Sequence, residues 1–219
     1  MLERHRAQGL LGSGFEAFYP WIGESFDPSC GVMLVGESHF DEESSCERLP
    51  TPSERFETID LIAGRPDWTM KDEKKFILRA EAFLYHLNSQ RGPIVDVWRH
   101  VSFYNFCNKY MPFESNKSHK PSEDTLKASM ESFRRVVEAV RPRWIIVSSF
   151  LAFDRIMHYS NIRKKLLRER IVRADKAIID LSIEHEIIPI RHLSRSSPEN
   201  TAKTVRQLMI AGFSHKEPN

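Results

Sequence analysis

The sequence contains few of the residues on which cross-linked or metal-held folds depend. It has only three cysteines, Cys30, Cys46 and Cys107, among 219 residues. Three cysteines form no paired disulfide framework, which is typical of proteins from the reducing cytoplasm. No Cys-x-x-Cys pair and no two histidines at ligand spacing occur, so we expect no metal site. The nine glycines also form no phosphate-binding loop of either common type.

Long apolar runs are missing as well. The longest, such as Val32–Val35 and Trp144–Val147, are far too short to cross a bilayer. The N-terminal residues Glu3–Arg6 lack the apolar core of a signal peptide. A hydrophobic content of 41% and a charged content of 28% are typical of a globular protein. We therefore expect a cytoplasmic monomer without a membrane partner or an obligate protein partner, folded as a single domain over residues 1–219.

The net charge of +2 conceals a separation of charge along the chain. Residues 1–60 contain four arginines and no lysine against twelve acidic residues, a net charge of −8. Residues 134–176 contain twelve basic and four acidic residues, a net charge of +8. Such a basic segment suits a partner with a phosphate backbone, although a solvated helix face would have the same composition.

Apolar periodicity predicts that strands alternate with helices. The predicted buried strands are Gly31–Gly36, Val101–Tyr104, Trp144–Val147 and Ile187–Ile190. Pro189 suggests that the last strand lies at an edge or contains a bulge. The predicted helices span 72–89, 123–140, 150–158 and 161–170, followed by one from Pro198 to a stop at Gly212.

The caps and loops complete this prediction. Ser122 and Ser197 are predicted helix caps, and residues 41–66 and 112–121 are predicted loops. Strands separated by helices favour the α/β class, here a three-layer α/β/α sandwich with a central four-stranded, mostly parallel sheet.

Polar residues follow three of the four predicted strands at the point where each strand ends. These clusters are Gly36–Phe40, Asn105–Asn108 and His192–Arg195. Because the carboxyl ends of parallel strands meet at one edge of a sheet, we expect the three clusters to line one crevice.

In order and spacing these segments resemble the motifs of the uracil-DNA glycosylase superfamily, from Gly31 to Ala211. Gly36–Phe40 resembles the first motif, Gly-Gln-Asp-Pro-Tyr or Gly-Glu-Ala-Pro-Gly, and Asn105 stands like the asparagine that reads the base. Arg141–Val147 resembles the segment that leads into the third strand of that family. His192–Ser194 resembles the His-Pro-Ser motif that opens the DNA-inserting loop.

The resemblance implies an enzyme that extrudes a nucleotide from DNA and cleaves its N-glycosidic bond. Glu37 would act on the attacking water, and His192 would donate a hydrogen bond to the departing base. Asn105 would read the base edge. The other residues expected at the base are Ser38, His39 and Phe40.

The resemblance also implies contacts to the DNA on either side of the target. Leu193 would be an apolar wedge that fills the space of the extruded base, or else a core residue that anchors its loop. The residues expected at the DNA backbone are Ser194, Arg195, Ser196, Lys164 and Lys165.

Several departures from the family pattern bear on the substrate. Ser38 stands where the family has an aspartate or asparagine, and His39 replaces its proline. The nearest candidates for the base-stacking aromatic are Phe40 and Phe56. These differences predict a modified pyrimidine, such as a 5-substituted cytosine of phage DNA, with uracil or another deaminated base as the alternative. The branch with Gly-Glu-Ala-Pro-Gly holds an iron–sulfur cluster on four cysteines, which three cysteines cannot supply, so we expect no cofactor.

Two other classes of function share parts of the pattern. A serine esterase-like hydrolase would use Ser38, Asn105 and His192 in that order, but Pro189 occupies the position of the aspartate that orients the histidine. A DNA-binding module without catalytic activity would need only the basic segment.

Overall fold

The computed structural model of the chain describes residues 2–41, 44–64, 75–88, 94–112, 120–159, 175–177 and 185–214. The strands in this part are β1 (Trp21–Ile22), β2 (Val32–Gly36), β3 (His39–Asp41), β4 (Val101–Asn105), β5 (Tyr110–Pro112), β6 (Trp144–Val147), β7 (Asp175–Ala177) and β8 (His185–Pro189). Six of them form the main sheet in the order β1-β4-β2-β6-β8-β7, and β3 pairs with β5 in a small second sheet.

The four predicted strands are confirmed as the parallel centre of the main sheet, β4-β2-β6-β8. The edge strands β1 and β7 run antiparallel to their neighbours and were not predicted, because two or three residues are too short to show an alternating pattern. The inference from Pro189 was wrong. Strand β8 lies between β6 and β7, with Pro189 at its last position and the Ile190 N–H donating to the Val147 carbonyl at 2.9 Å.

Helices cover both faces of the main sheet. Their bounds are α1 (Leu2–Leu11), α2 (Glu57–Ala63), α3 (Lys75–Leu87), α4 (Glu123–Val140), α5 (Phe150–Tyr159) and α6 (Pro198–Ser214). Phe103 of β4 contacts Phe76 of α3, which packs with α6, whereas the next residue, Tyr104, contacts Phe133 of α4. Helix α4 also packs against α1 and α5. Because successive side chains of a strand point to opposite faces, the fold is the predicted α/β/α sandwich.

Helices α3, α4 and α5 are confirmed within the described residues, and two other predictions need correction. Residues 57–63 of the predicted loop form α2, in which Ile59 and Ile62 are buried one turn apart. Helix α6 continues through Gly212 to Ser214, since a glycine weakens a helix without ending it. The predicted helix over 161–170 lies outside the described residues, as do residues 113–119 of the second predicted loop.

Both predicted helix caps are present. The Ser122 hydroxyl accepts a hydrogen bond from the Thr125 N–H, and the Ser197 hydroxyl accepts one from the Asn200 N–H. Helix α4 ends at Val140, and the next residue, Arg141, adopts the left-handed conformation with φ 53°. Each serine therefore satisfies an N–H group that the first turn of its helix leaves without a partner.

Strands β2 and β6 lie at the centre of the core, with almost all of their side chains buried. The three cysteines are free, Cys107 in the core and Cys30 and Cys46 at the surface. Among the residues described, no helix has both the length and the apolar composition needed to cross a membrane.

Candidate functional site

The four central strands end at one edge of the sheet, and the segments that follow them are joined there by hydrogen bonds. The Phe106 N–H donates to the Gly36 carbonyl at 3.1 Å, and the Cys107 N–H donates to the Glu37 carbonyl at 2.8 Å. The Leu193 N–H donates to the Ser148 hydroxyl at 3.0 Å, which links the segments after β8 and β6. We call this the carboxyl edge; it brings together the three polar clusters that the sequence predicts.

Asn105 lies against the backbone of Gly36 at this edge. The two residues are paired in the register of β2 and β4. A Cβ atom added to Gly36 would overlap the Oδ1 atom of Asn105. The absence of a side chain at Gly36 therefore leaves the space that the Asn105 amide occupies. Gly36 directly precedes Glu37 in the chain.

Glu37 is held by the segment that follows β6. The Ser149 hydroxyl donates to Glu37 Oε2 at 2.6 Å, and the same hydroxyl accepts a hydrogen bond from the Ala152 N–H at 3.2 Å. Ser149 thus caps α5, and the half-buried Glu37 carboxylate lies beside the start of that helix, where the helix dipole favours negative charge.

His192 is half-buried at the same edge. Its Nδ1 atom lies 2.6 Å from the Ser194 hydroxyl oxygen, and its ring centroid lies 5.1 Å from that of Phe76. Burial lowers the pKa of the imidazole; the Glu37 carboxylate acts in the opposite direction, and Arg195 adds to the lowering. The neutral form of the ring therefore predominates at pH 7. When the Ser194 hydroxyl donates to Nδ1, Nε2 carries the proton and can donate it.

The structure places His39 inside the protein, whereas the sequence predicts a residue that faces the base. Its side chain is 5% exposed, with Nε2 2.9 Å from the Thr58 hydroxyl and Nδ1 3.5 Å from Glu57 Oε1. The ring packs against Phe18 with a centroid distance of 4.1 Å and an interplanar angle of 32°. Both ring nitrogens thus contact α2, so His39 joins β3 to that helix inside the protein.

Leu193 is also placed differently from the expected wedge. Its side chain is 0% exposed and belongs to the hydrophobic core. The alternative interpretation, a core residue that anchors its loop, describes the structure. Filling a gap in DNA with Leu193 would require its removal from the core.

Ser38 and Phe40 follow Glu37 and differ in environment. The Ser38 hydroxyl is buried and has no hydrogen-bond partner among the described residues, whereas Phe40 is 51% exposed. Within the described part of the chain, no general base therefore hydrogen-bonds Ser38, and His192 pairs through Nδ1 with Ser194 instead. The nucleophile and base of the serine hydrolase alternative are not assembled.

The residues expected at the DNA backbone are only partly at the surface. Arg195 is exposed, as is Arg191, and Ser194 is half-buried against His192. Ser196 is half-buried, and its carbonyl accepts a hydrogen bond from Arg79 at 2.8 Å. Lys164 and Lys165 lie outside the described residues.

The structure adds two residues to the site and removes one candidate. Phe56 stacks on Tyr19 with a centroid distance of 4.8 Å, and the Arg4 guanidinium lies over its ring, so Phe56 is not available to a base. Phe76 is half-buried beside His192, whereas its sequence pattern indicates only a helix face. Ser149 is the other addition, and the sequence does contain a signal for it, since polar residues follow β6 just as they follow the other three central strands.

Within the described residues, no three histidine, cysteine, aspartate or glutamate side chains are grouped so that they could hold a metal ion. No protein-family model matches the chain, and no match was found among curated proteins.

Proposed function

We propose that this protein is a monofunctional DNA glycosylase that extrudes a pyrimidine nucleotide and hydrolyses its N-glycosidic bond, leaving an abasic site. The observation that carries the proposal is the meeting of Glu37, Asn105 and His192 at the carboxyl edge. The reaction leaves positive charge on the sugar and negative charge on the departing base. A carboxylate and a neutral hydrogen-bond donor at the same edge of the sheet match these two charges.

The role of Glu37 in this proposal is to orient or deprotonate the attacking water and to stabilise the cationic sugar. The hydrogen bond from Ser149 fixes the direction of its carboxylate. Because Ser149 is itself the cap of α5, the position of the carboxylate depends on the start of that helix.

His192 and Asn105 would act on the base. The neutral imidazole can donate from Nε2 to an oxygen of the base, where negative charge develops as the bond breaks. Asn105 offers a donor and an acceptor on one amide, which suits the Watson–Crick edge of a pyrimidine. Its approach to Gly36 keeps that amide at the end of β4.

The favoured substrate is a modified pyrimidine, most simply a bulky 5-substituted cytosine such as those of phage DNA. Ser38 offers no carboxylate at the position where the family has one, and the ring of Phe56 already contacts Tyr19 and Arg4. The Asn105 amide oxygen can accept from the amino group of cytosine. Uracil or another deaminated base is the alternative target.

The test is to incubate the protein with duplexes that contain uracil or modified pyrimidines and with natural modified phage DNA, and to measure alkali-labile breaks. Modified DNA should gain breaks, and unmodified DNA of the same sequence should not. Equal or better cleavage at uracil would reassign the base and leave the glycosylase proposal standing. DNA binding without breaks in any substrate would overturn the proposal in favour of a binding module.

Two variants test the site itself. His192→Ala and Glu37→Gln should each slow the chemical step by ~10²–10³-fold in single-turnover cleavage at saturating enzyme, with little change in DNA affinity. Glu131→Gln removes an exposed carboxylate of α4 and should cleave at the wild-type rate. Wild-type rates in both site variants would reject the assignment.

A further inference from the structure

Phe150 is a large apolar side chain that the fold leaves in water. It is 62% exposed, although phenylalanine is among the residues most often buried. Among the phenylalanine, tyrosine and tryptophan side chains whose exposure the structure describes, Phe40, at 51%, is the other one that is largely exposed. Both belong to segments that follow central strands at the carboxyl edge.

The position of Phe150 ties it closely to the candidate site. It is the first residue of α5 and follows Ser149, which caps that helix and hydrogen-bonds Glu37. Its Cα atom is therefore one peptide unit, about 3.8 Å, from that of Ser149. The buried face of α5 consists of Ala152, Phe153, Ile156 and Met157. Phe150 is exposed and is not one of these four, so packing of the helix against the core does not require its ring.

The same edge has charged groups for a phosphate backbone but lacks the expected wedge. Leu193 is enclosed in the core, whereas Arg191 and Arg195 are exposed. An exposed aromatic ring together with exposed arginines is the combination with which proteins hold nucleobases and phosphates, by stacking and by charge.

We infer that Phe150 contacts the DNA bases beside the extruded nucleotide, stacking in the gap that this nucleotide leaves. The inference rests on the proposed function for the choice of DNA as the partner. An apolar side chain must be accessible to the DNA in order to enter a base step. Phe150 is exposed and follows Ser149, the partner of Glu37, whereas Leu193 is buried.

The test uses a duplex with a tetrahydrofuran abasic-site analogue, which contains the gap whichever base is the natural target. Phe150→Ala should bind this duplex roughly 5- to 150-fold more weakly than wild type, since the variant cannot stack on a base. Phe150→Trp should restore the affinity, and the dependence on salt should not change in either variant, because no charge is removed. Leu10→Ala, which truncates an exposed apolar side chain of α1, should bind like wild type.

The outcomes separate this inference from the glycosylase proposal. If Phe150→Ala binds with wild-type affinity and has an unchanged melting temperature, the inference is overturned. The glycosylase proposal would then still be tested by whether the wild-type protein excises a base. If Phe150→Ala binds more weakly but the wild-type protein excises no base, the result would support the contact of Phe150 with DNA and overturn the glycosylase proposal. Loss of self-association in Phe150→Ala, with DNA binding unchanged, would assign the ring to a second copy of the chain and overturn the inference. Failure of the wild-type protein to bind any duplex would overturn both.

Discussion

At the scale of single residues, the candidate site depends on Gly36 and His192, and the surroundings of each restrict which substitutions it tolerates. Gly36 leaves room for the amide of Asn105, and His192 has a lowered pKa because it is partly buried. Each residue acts through a local physical property, so each allows a direct test of that property.

Gly36→Ala should abolish base excision while the protein stays folded. The new Cβ atom meets the end of the Asn105 side chain rather than backbone, so the amide is displaced at a cost in stability of about 1–3 kcal/mol. Single-turnover cleavage and thermal unfolding are the measurements. Gly9→Ala is the matched control, because a Cβ there meets nothing within 4 Å, and it should cleave normally. Unchanged cleavage by Gly36→Ala would show that the position of Asn105 is not required.

The pH dependence of stability should report the burial of His192. Its pKa in the folded protein lies below the ordinary value of 6.5, so the unfolded chain takes up the proton first as the pH falls. The stability contribution of the neutral ring is complete above pH 6.5 and is lost as the pH falls from there through the lowered pKa.

Denaturant unfolding between pH 5 and 8 measures this effect. His192→Gln should unfold with a smaller dependence on pH than wild type over that range. The control His100→Gln, at an exposed histidine, should retain the wild-type dependence. Identical pH profiles for wild type and His192→Gln would contradict the burial argument.

At the scale of elements, the start of α5 links the stability of a helix to the geometry of the site. The Ser149 hydroxyl bonds the Ala152 N–H and the Glu37 carboxylate at once. The equivalent cap of α4 is Ser122. Its hydroxyl accepts a hydrogen bond from the Thr125 N–H and donates one to the Glu47 carboxylate, which is not part of the site. One cap therefore belongs to the site, and the other supports the fold alone.

Ser149→Ala and Ser122→Ala should destabilise the protein by similar amounts, about 1 kcal/mol for the removal of a cap. Only Ser149→Ala should also slow base excision, because Glu37 then lacks the hydrogen bond that orients it. Urea unfolding gives the first quantity, and single-turnover cleavage gives the second. If both variants cleave at the same rate, Ser149 is a cap and nothing more.

At the scale of the whole molecule, the parallel sheet places exposed basic residues at its two opposite edges. Arg195 lies in the segment after β8, at the carboxyl edge, whereas Arg141 precedes β6 and lies at the opposite edge. Both side chains are exposed. DNA bound at the candidate site would therefore contact the first arginine and not the second.

Arg195→Glu should reduce the salt dependence of DNA affinity, lowering the slope of log affinity against log salt by about one unit for each phosphate that the variant no longer neutralises. Arg141→Glu makes the same change of charge at the opposite edge and should leave the slope as in wild type. Lys164→Glu with Lys165→Glu is expected to behave like Arg195→Glu. Fluorescence anisotropy across a salt series is the measurement, and equal slopes in all the variants would mean that the basic residues are only a solvated surface.

The sequence by itself determined the central strands, three of the large helices and the polar clusters at the strand ends. The apolar run Trp144–Val147 forms β6, and Ser122 caps a helix through groups three residues away. These are local properties, set by neighbours in the chain, so the pattern of residues is enough to identify them.

Only the tertiary structure decided which side chains of those clusters face the crevice. His39 turned toward Thr58, Leu193 entered the core, and Phe150 was left in water. Each outcome depends on residues far away in the sequence, as Ser149 and Glu37 show across 112 positions. A side chain at the end of a strand can point into the core, into a neighbouring helix or into solvent, and burial energy and hydrogen-bond partners from distant segments select among these directions.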